Sequence, residues 1–337
     1  MDNTSALIER NADLFAGRRV LLAGFADTAV LSAAPADWQL WGWDYADCQA
    51  FTRSLGESAV CFSHLVPALE ALDAAILLMP KAMERAAYAL AQLAPLLGSG
   101  KPLYLIGENK GGIKRAASLL QAHGQTPVKL DAARHCQLWQ VQVESPATFQ
   151  LDQWQQCNLI ELADQHIDLI SLPGVFSHGR LDEGSALLLQ VPATLPTGRV
   201  LDFGCGAGVL SVALARRNPQ CHFELLDVDA LALWSAQQTL ERNGVNARVL
   251  ASDGLQAVHG MYAAVVSNPP FHTGLRMDTG IAERFFEGIG KHLLSGGELR
   301  LVANGFLRYP PLIEAHVGPC RVLLENSRFR VYSALAG

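Results

Sequence analysis

Residues 199–208 read RVLDFGCGAG and lead into the helical pattern VLSVALARRN at 209–218. The run begins as a short β-rich segment that ends in an acid, Asp202. Three glycines then alternate with other residues: Gly204, Gly206 and Gly208. A strand that passes through a glycine-rich turn into a helix lets the backbone approach a ligand closely at the positive N-terminus of that helix.

The spacing and the acid indicate which ligand binds there. The pattern is G-x-G-x-G, not the G-x-G-x-x-G of dinucleotide sites, and Asp202 precedes it by two residues. A buried aspartate would repel a pyrophosphate, whereas it would attract a ligand with a cationic amino-acid end. S-adenosylmethionine is the cofactor that fits, and a purely structural glycine-rich turn is the alternative.

The segments that follow alternate between strand and helix patterns. We predict strands at 222–227, 248–251, 263–267 and 299–303, helices at 230–242 and 281–294, and a final hairpin of 320–324 with 329–335. This alternation is typical of an open, mostly parallel sheet with helices on both faces, to which the hairpin adds an antiparallel edge. The fold class is therefore α/β and Rossmann-like.

The first half of the chain looks like a diverged copy of the second. Residues 19–24 align with 199–204, 74–80 with 263–269, and 99–106 with 295–302. The offset grows steadily, as expected for a duplicated domain with small insertions. The alternative is that α/β domains in general place strands at similar spacings. The polar stretch at 144–156 predicts a boundary between domains 1–150 and 151–337.

Length and composition agree with two domains. The chain has 337 residues, of which 50% are hydrophobic and 17% charged, and this excludes disordered chains, coiled coils and collagen-like repeats. No apolar run approaches the roughly 20 residues that cross a bilayer, and the polar N-terminus is not typical of a signal peptide. Seven cysteines without a C-x-x-C pair argue against a metal site. We expect a cytoplasmic protein that binds neither metal nor membrane.

Two further acids follow predicted strands of the second half. Asp227 ends the strand about 20 residues beyond the glycines, where an acid can accept hydrogen bonds from both ribose hydroxyls of an adenosine. The alternative role of Asp227 is to cap the next helix. Asp253 follows the third strand and is a candidate to meet the adenine amino group, or else a turn former.

The motif Asn268-Pro269-Pro270-Phe271 directly follows the fourth strand. The two prolines end the strand and fix the backbone. The side-chain oxygen of Asn268 and the carbonyl of Pro269 can then accept hydrogen bonds from one planar nitrogen group, while Phe271 offers a face for stacking. Such acceptors orient an exocyclic amine or an amide for methyl transfer and stabilise the positive charge that develops on it. A chance Asn-Pro turn is the alternative.

The sequence resembles the class I methyltransferases of the N-P-P-[FYW] kind, and among them the bacterial small-subunit (16S) ribosomal RNA guanine-N2 methyltransferase (RsmC) family. The stretches that carry the likeness are SLPGVFSHGRLDEGSALLL at 171–189, the glycine turn, NPPFH at 268–272, and SGGELRLVANGFLRYP at 295–310. The resemblance implies two tandem class I methyltransferase-like domains, of which only the second binds cofactor. It also implies that the glycine turn, Asp227 and Asp253 hold the cofactor, that Asn268 borders it, and that Asn268, Pro269 and Phe271 meet the guanine.

The reaction implied is methylation of the 2-amino group of a guanine in 16S ribosomal RNA, free or within the 30S subunit. A paired guanine hides this amine in the minor groove, so the base must be flipped out or come from single-stranded RNA. Two enzymatic alternatives are a large-subunit ribosomal RNA guanine-N2 methyltransferase and a protein glutamine N5-methyltransferase, in which a tyrosine usually stands at the position of Phe271. A non-enzymatic RNA-binding module is the third alternative.

Contacts with RNA must come from local patches because the net charge is −6. Lys110, Lys114 and Arg115 form one candidate patch in the first domain, although a solvated loop explains them nearly as well. Phe176 is a candidate to cover the cofactor or the target base, although an apolar phenylalanine is more often part of a core. We expect the protein to act as a monomer.

Overall fold

The structure is a computed structural model that describes residues 2–25, 30, 38–192, 194–269 and 279–337. Contacts between Cα atoms divide the chain into two compact units, residues 1–155 and 156–337. We refer to them below as the first unit and the second unit.

The first unit contains a seven-stranded sheet in the order β3-β2-β1-β4-β5-β7-β6. Its described strands are β1 (Val20–Ala23), β2 (Gln39–Gly42), β3 (Val60–Phe62), β4 (Ala74–Leu78), β5 (Pro102–Glu108), β6 (Val128–Ala133) and β7 (Cys136–Gln142). Its described α-helices are α1 (Asn3–Arg10), α2 (Tyr45–Leu55), α3 (Met83–Leu97) and α4 (Ala116–Gln121). Strands β1 to β5 are parallel, and β7 returns antiparallel between β5 and β6.

The second unit repeats this plan after an additional hairpin of β8 (Gln156–Glu161) and β9 (His166–Ser171). Its sheet consists of β10 (Arg199–Phe203), β11 (His222–Asp227), β12 (Arg248–Ala251), β13 (Tyr262–Ser267), β14 (Leu293–Asn304), β15 (Cys320–Glu325) and β16 (Phe329–Leu335). The described α-helices are α5 (Glu183–Leu188), α6 (Val209–Arg217), α7 (Ala230–Arg242), α8 (Thr279–His292) and α9 (Pro310–His316). The strand order is β12-β11-β10-β13-β14-β16-β15, which matches the first unit position by position.

The predicted fold class, two mostly parallel α/β sheets, is confirmed. The central strands β10 and β13 are almost wholly buried, as expected for strands of a sheet covered on both faces. The antiparallel hairpin predicted at the edge of the second sheet is β15–β16. The first sheet carries an equivalent hairpin, β6–β7, that the sequence did not predict; β6 (VKLDAA) is short, mostly exposed and contains no buried residue.

The strand registers correct the alignment of the two halves by one residue at β4. Val20 of β1 pairs with Ala74, and the corresponding Val200 of β10 pairs with Ala264. Ala74 is therefore equivalent to Ala264, not to Ala263 as the sequence alignment has it. The alignment was wrong because it matched the adjacent alanines of β4 to those of β13, whereas position in a sheet is set by pairing with the neighbouring strands.

Candidate active site

The polar residues singled out in the second half lie at one edge of the second sheet. Strands β10 to β13 are mutually parallel, so their carboxyl ends meet there, and we call this the carboxyl edge. Asp202 lies near the end of β10, Asp227 ends β11, and Asp253 and Asn268 follow β12 and β13. Ligands of open α/β sheets bind at this edge.

Asp202 is completely buried, and only one of its carboxylate oxygens has a partner. The Ser211 hydroxyl donates to Oδ2 at 2.6 Å, whereas Oδ1 accepts no hydrogen bond from any described residue. The pKa of Asp202 is raised to about 7, chiefly by burial; the Ser211 hydrogen bond lowers it and the nearby Asp227 charge raises it. A buried carboxylate oxygen without a donor is costly unless a ligand supplies one.

The glycine turn connects directly to Asp227. The Gly206 N–H donates to Asp227 Oδ2 at 2.9 Å, and the Asp229 N–H donates to Oδ1 at 3.0 Å. Gly206 has a φ of +53°, and a Cβ added there would meet no atom within 4 Å, so the turn faces open space. At Gly208, by contrast, a Cβ would lie 3.3 Å from Ala236 of α7, and the absence of a side chain allows helix and turn to pack closely.

Asp227 is a partly buried acid that does not cap the following helix. The pKa of Asp227 is raised to about 6, chiefly by burial and also by the charge of Asp229, whereas the backbone N–H groups that donate to its carboxylate lower it. The N-cap of α7 is Asp229, whose carboxylate accepts from Leu231 and Ala232. Asp227 therefore keeps its remaining lone pairs for another partner.

Asp253 lies beside Asp227 because the loop after β12 is tied to β11. The Ser252 N–H donates to the Asp227 carbonyl at 3.0 Å, and the buried Ser252 hydroxyl donates to the Gly254 carbonyl at 2.8 Å. The half-buried Asp253 carboxylate accepts from the Gln256 amide at 2.9 Å. These contacts hold Asp253 at the carboxyl edge, next to the strand that ends in Asp227.

The Asn268 amide is oriented by two residues that sequence reasoning did not assign. Its Nδ2 donates to Asp182 Oδ2 at 2.5 Å and to Ser185 Oγ at 3.0 Å. An amide nitrogen has two hydrogens, so both are used and Oδ1 is the atom that can accept from a substrate. The segment at 171–189 was recognised by resemblance, but nothing in it indicated a contact with a residue more than 80 positions away.

Asp182 is fixed in turn by the helix that it begins. It is the N-cap of α5, and its carboxylate accepts from the Gly184 N–H at 3.2 Å and the Ser185 N–H at 2.7 Å. The same carboxylate thus caps a helix and holds the Asn268 amide. A capping acid with a second polar partner restricts that partner to one orientation.

The structure describes some of the other candidate residues and not others. Pro269 is buried, whereas Pro270 and Phe271 lie outside the described residues. Phe176 is 68% exposed, so the alternative that it belongs to the core is excluded. Lys110, Lys114 and Arg115 are exposed and follow β5 of the first unit. The described residues contain no cluster of His, Cys, Asp or Glu able to hold a metal ion, and none of the described helices could cross a membrane.

Family profiles match both units. A profile described as "Methyltransferase small domain" matches residues 166–333, and one described as "Methyltransferase small domain N-terminal" matches residues 5–158. The two matches together span most of the chain, and their division agrees with the two units of the structure.

Two relatives that match the whole chain have the same name. Proteins named "Ribosomal RNA small subunit methyltransferase C" from Ectopseudomonas mendocina (strain ymp) and Stutzerimonas stutzeri (strain A1501) are 49% and 48% identical to this chain. The first alignment covers 99% of each chain, and the second covers 100% of each. Among solved structures, the T. thermophilus 16S rRNA N2 G1207 methyltransferase (RsmC) in complex with AdoMet and guanosine superposes with a TM-score of 0.85. That match has 24% identity, covers 100% of this chain and 92% of the other, and establishes the shared fold.

Proposed function

The chain belongs to the ribosomal RNA small subunit methyltransferase C family, and we propose that it transfers a methyl group from S-adenosylmethionine to the 2-amino group of a guanine in 16S ribosomal RNA. The observation that carries the proposal is the Asn268 amide, whose nitrogen is held by Asp182 and Ser185 so that its oxygen can accept from an amine. The solved structure that shares this fold is a complex with AdoMet and guanosine.

The residues at the carboxyl edge fit S-adenosylmethionine. The unpartnered Asp202 Oδ1 would accept a hydrogen bond from the ammonium group, the open turn at Gly206 would admit the ligand, and Asp227 would accept from the ribose hydroxyls. Asp253 is the candidate partner of the adenine amino group. When bound, the cofactor supplies an electrophilic methyl group on a sulfonium.

The residues around Asn268 orient the attacking amine. Asn268 Oδ1 and the Pro269 carbonyl accept its two hydrogens, so the nitrogen lone pair points out of the plane of the base toward the methyl group. The same acceptors stabilise the positive charge that develops on the nitrogen, and the cationic product then releases a proton without a dedicated base. Phe271 supplies the surface on which the flipped guanine stacks.

A methyl-transfer assay with several acceptors tests this proposal. Tritiated S-adenosylmethionine is offered with free 16S and 23S ribosomal RNA, both ribosomal subunits and protein acceptors, and the labelled nucleoside is identified by chromatography. We expect label in 16S RNA, free or assembled, as N2-methylguanosine. Label confined to 23S RNA or to protein would contradict the proposed substrate.

We predict that Asp182→Asn lowers kcat about tenfold, as expected for one weakened hydrogen bond to a charged group. The substituted side chain still caps α5. The Asn268 amide, however, then donates to a neutral amide oxygen in place of a charged carboxylate. Single-turnover rates, the KM for RNA and thermal unfolding are measured. We expect KM and the melting temperature to change little, because the change is confined to the orientation of Asn268.

The matched control for Asp182→Asn is Asp44→Asn, the same substitution at the N-cap of α2 in the first unit. It should leave kcat as in the wild type. If Asp182→Asn lowers both kcat and the melting temperature, the residue has a structural role. That result would contradict the positioning role.

We further propose that the first unit binds no cofactor, because its equivalent positions carry no acids. The strand registers place Leu22 at the position of Asp202 and Gly42 at that of Asp227. A Cβ at Gly42 would lie 2.7 Å from the Phe25 ring, so this aromatic side chain occupies space that is open in the second unit. Leu22 is completely buried and offers no acceptor to an ammonium group.

The methyl-accepting part of the site is also lost from the first unit. With the corrected register, Leu78 stands at the position of Asn268. The rings of Phe25 and Phe51 pack with centroids 4.3 Å apart, and Phe51 stands where α7 has the small Ala236. The first unit is therefore filled by core side chains where the second carries the open turn at Gly206 and the polar residues of the candidate site. The proposed roles of the first unit are structural support and RNA binding.

We predict one cofactor per chain. Calorimetric titration of the full chain with S-adenosylmethionine should give a stoichiometry near one, because every acid assigned to the cofactor lies in the second unit. One chain holds all of these residues, so we expect a monomer to be sufficient for cofactor binding. The variant Asp202→Asn should weaken this single binding event on the order of 10²-fold. A second event that the substitution leaves unaffected would contradict the division of roles.

A further inference from the structure

The loop that follows β14 lies at the carboxyl edge, next to Asn268. Strand β14 pairs in parallel with β13, with Ser267 opposite Leu301. It continues for three residues beyond this pair and ends at Asn304. The loop therefore begins above the strand end that carries Asn268, on the solvent side of the sheet edge.

The turn of the β15–β16 hairpin is bound to this loop. The Gly305 N–H donates to the Arg328 carbonyl at 2.8 Å, and the Arg330 guanidinium donates to the Gly305 carbonyl at 3.2 Å. Phe306 is the next residue of the loop and is 68% exposed. The side chain of Arg328 is 64% exposed. An aromatic ring and a guanidinium are thus presented from two connected loops.

Arg328 is linked by contacts to the Asn268 site. Its guanidinium forms an ion pair with Glu183, the first residue of α5. The next residue, Gly184, lies between the two elements, since a Cβ there would be 3.4 Å from both Asn268 Nδ2 and the Phe329 ring. The exposed arginine is therefore on the rim of the site where the target amine is held.

We propose that Phe306 and Arg328 bind the RNA nucleotides that flank the target guanine, an inference that rests on the proposed function. Phe306 stacks on an unpaired neighbouring base, and Arg328 contacts a phosphate. Exposing a phenylalanine to this extent forgoes the favourable free energy of its burial, and exposed aromatic and arginine side chains together are typical of surfaces that bind single-stranded RNA. A flipped guanine leaves unstacked neighbours that such a surface can receive.

The first unit supports this assignment through the equivalent loop. There the Asn109 N–H donates to the His135 carbonyl at 2.7 Å, which is the counterpart of the bond from Gly305 to Arg328. The residue that corresponds to Phe306 is Lys110, which is exposed. The loop after β5 thus exposes a lysine that can contact a phosphate, and the loop after β14 exposes a phenylalanine that can stack on a base.

The test uses the full chain, with 16S ribosomal RNA transcribed in vitro as the probe. Filter binding is measured for the wild type, Phe306→Ala and Arg328→Ala at several salt concentrations, and calorimetry gives the affinity for S-adenosylmethionine. We expect Phe306→Ala to weaken RNA binding on the order of tenfold. Arg328→Ala should reduce the slope of log K against log salt by about 0.7–0.9, the change for one phosphate contact. Cofactor affinity should be unchanged in both.

Matched controls are available at the opposite edge of the same sheet. Met261 precedes β13 and is 42% exposed, and Arg248 begins β12 and is exposed. Met261→Ala and Arg248→Ala should bind RNA as the wild type does. RNA binding by Phe306→Ala and Arg328→Ala that equals the wild type, or an equal loss in the controls, would overturn the proposal. A wild type that binds this RNA but methylates neither it nor the 30S subunit would contradict the proposed function and leave the binding comparison valid.

Discussion

Asn268→Ala is expected to reduce the single-turnover rate of methyl transfer by about 10²–10³, the usual loss when one hydrogen bond felt in the transition state is removed. The amide oxygen accepts from the amine as positive charge develops on it, and no other described side chain is held in this position by Asp182 and Ser185. The affinity for S-adenosylmethionine, measured by calorimetry, should change little, because the amide faces the target nitrogen.

Two variants separate this effect from damage to the fold. Asn246→Ala removes an exposed asparagine from the loop before β12, at the opposite edge of the sheet, and should retain the wild-type rate. Ser185→Ala keeps Asn268 and its stronger partner, and should lose less than Asn268→Ala. Methylation by Asn268→Ala at the wild-type rate would remove this residue from the mechanism.

The strands of the second sheet were predictable from local sequence. Runs such as HFELLD at 222–227 and RVLA at 248–251 have a strand's length and composition and are bounded by turn residues, and the structure places β11 and β12 at those same bounds. The β8–β9 hairpin was not predicted, because β8 (QCNLIE) is largely exposed and mixes polar with apolar residues. A strand without a buried face leaves little periodic signal.

The acids and glycines of the candidate site were predictable because they lie close together in sequence at strand ends. The residues that hold Asn268 were not, since the contacts with Asp182 and Ser185 arise only when α5 packs on β14 and β16. The one-residue alignment error at β4 has a similar origin, because register depends on the partner strands. Sequence thus identified the chemical groups, and tertiary packing determined their orientation.

Asp202→Asn is expected to weaken S-adenosylmethionine binding on the order of 10²-fold, since truncating a buried charge pair removes several kcal/mol. The substitution preserves the size of the side chain and an acceptor for the Ser211 hydroxyl, but it removes the charge that would meet the ammonium group. Calorimetry measures the affinity and thermal unfolding verifies the fold. Asp164→Asn, which breaks an exposed ion pair with Arg217, is the control and should bind cofactor normally.

The pH dependence of binding distinguishes the Asp202 charge from a steric effect. The pKa of Asp202 is raised to about 7 in the cofactor-free protein, so lowering the pH below 7 protonates the acceptor and should weaken binding by roughly tenfold per unit. Above about pH 8 the cofactor ammonium itself loses its proton, so wild-type affinity should be greatest between about 7 and 8. Asp202→Asn has no carboxyl group to titrate and should bind equally at pH 7 and 6, with a decrease only below 6, where Asp227 is protonated. A variant affinity that still falls tenfold between pH 7 and 6 would show that another group, not Asp202, receives the ammonium.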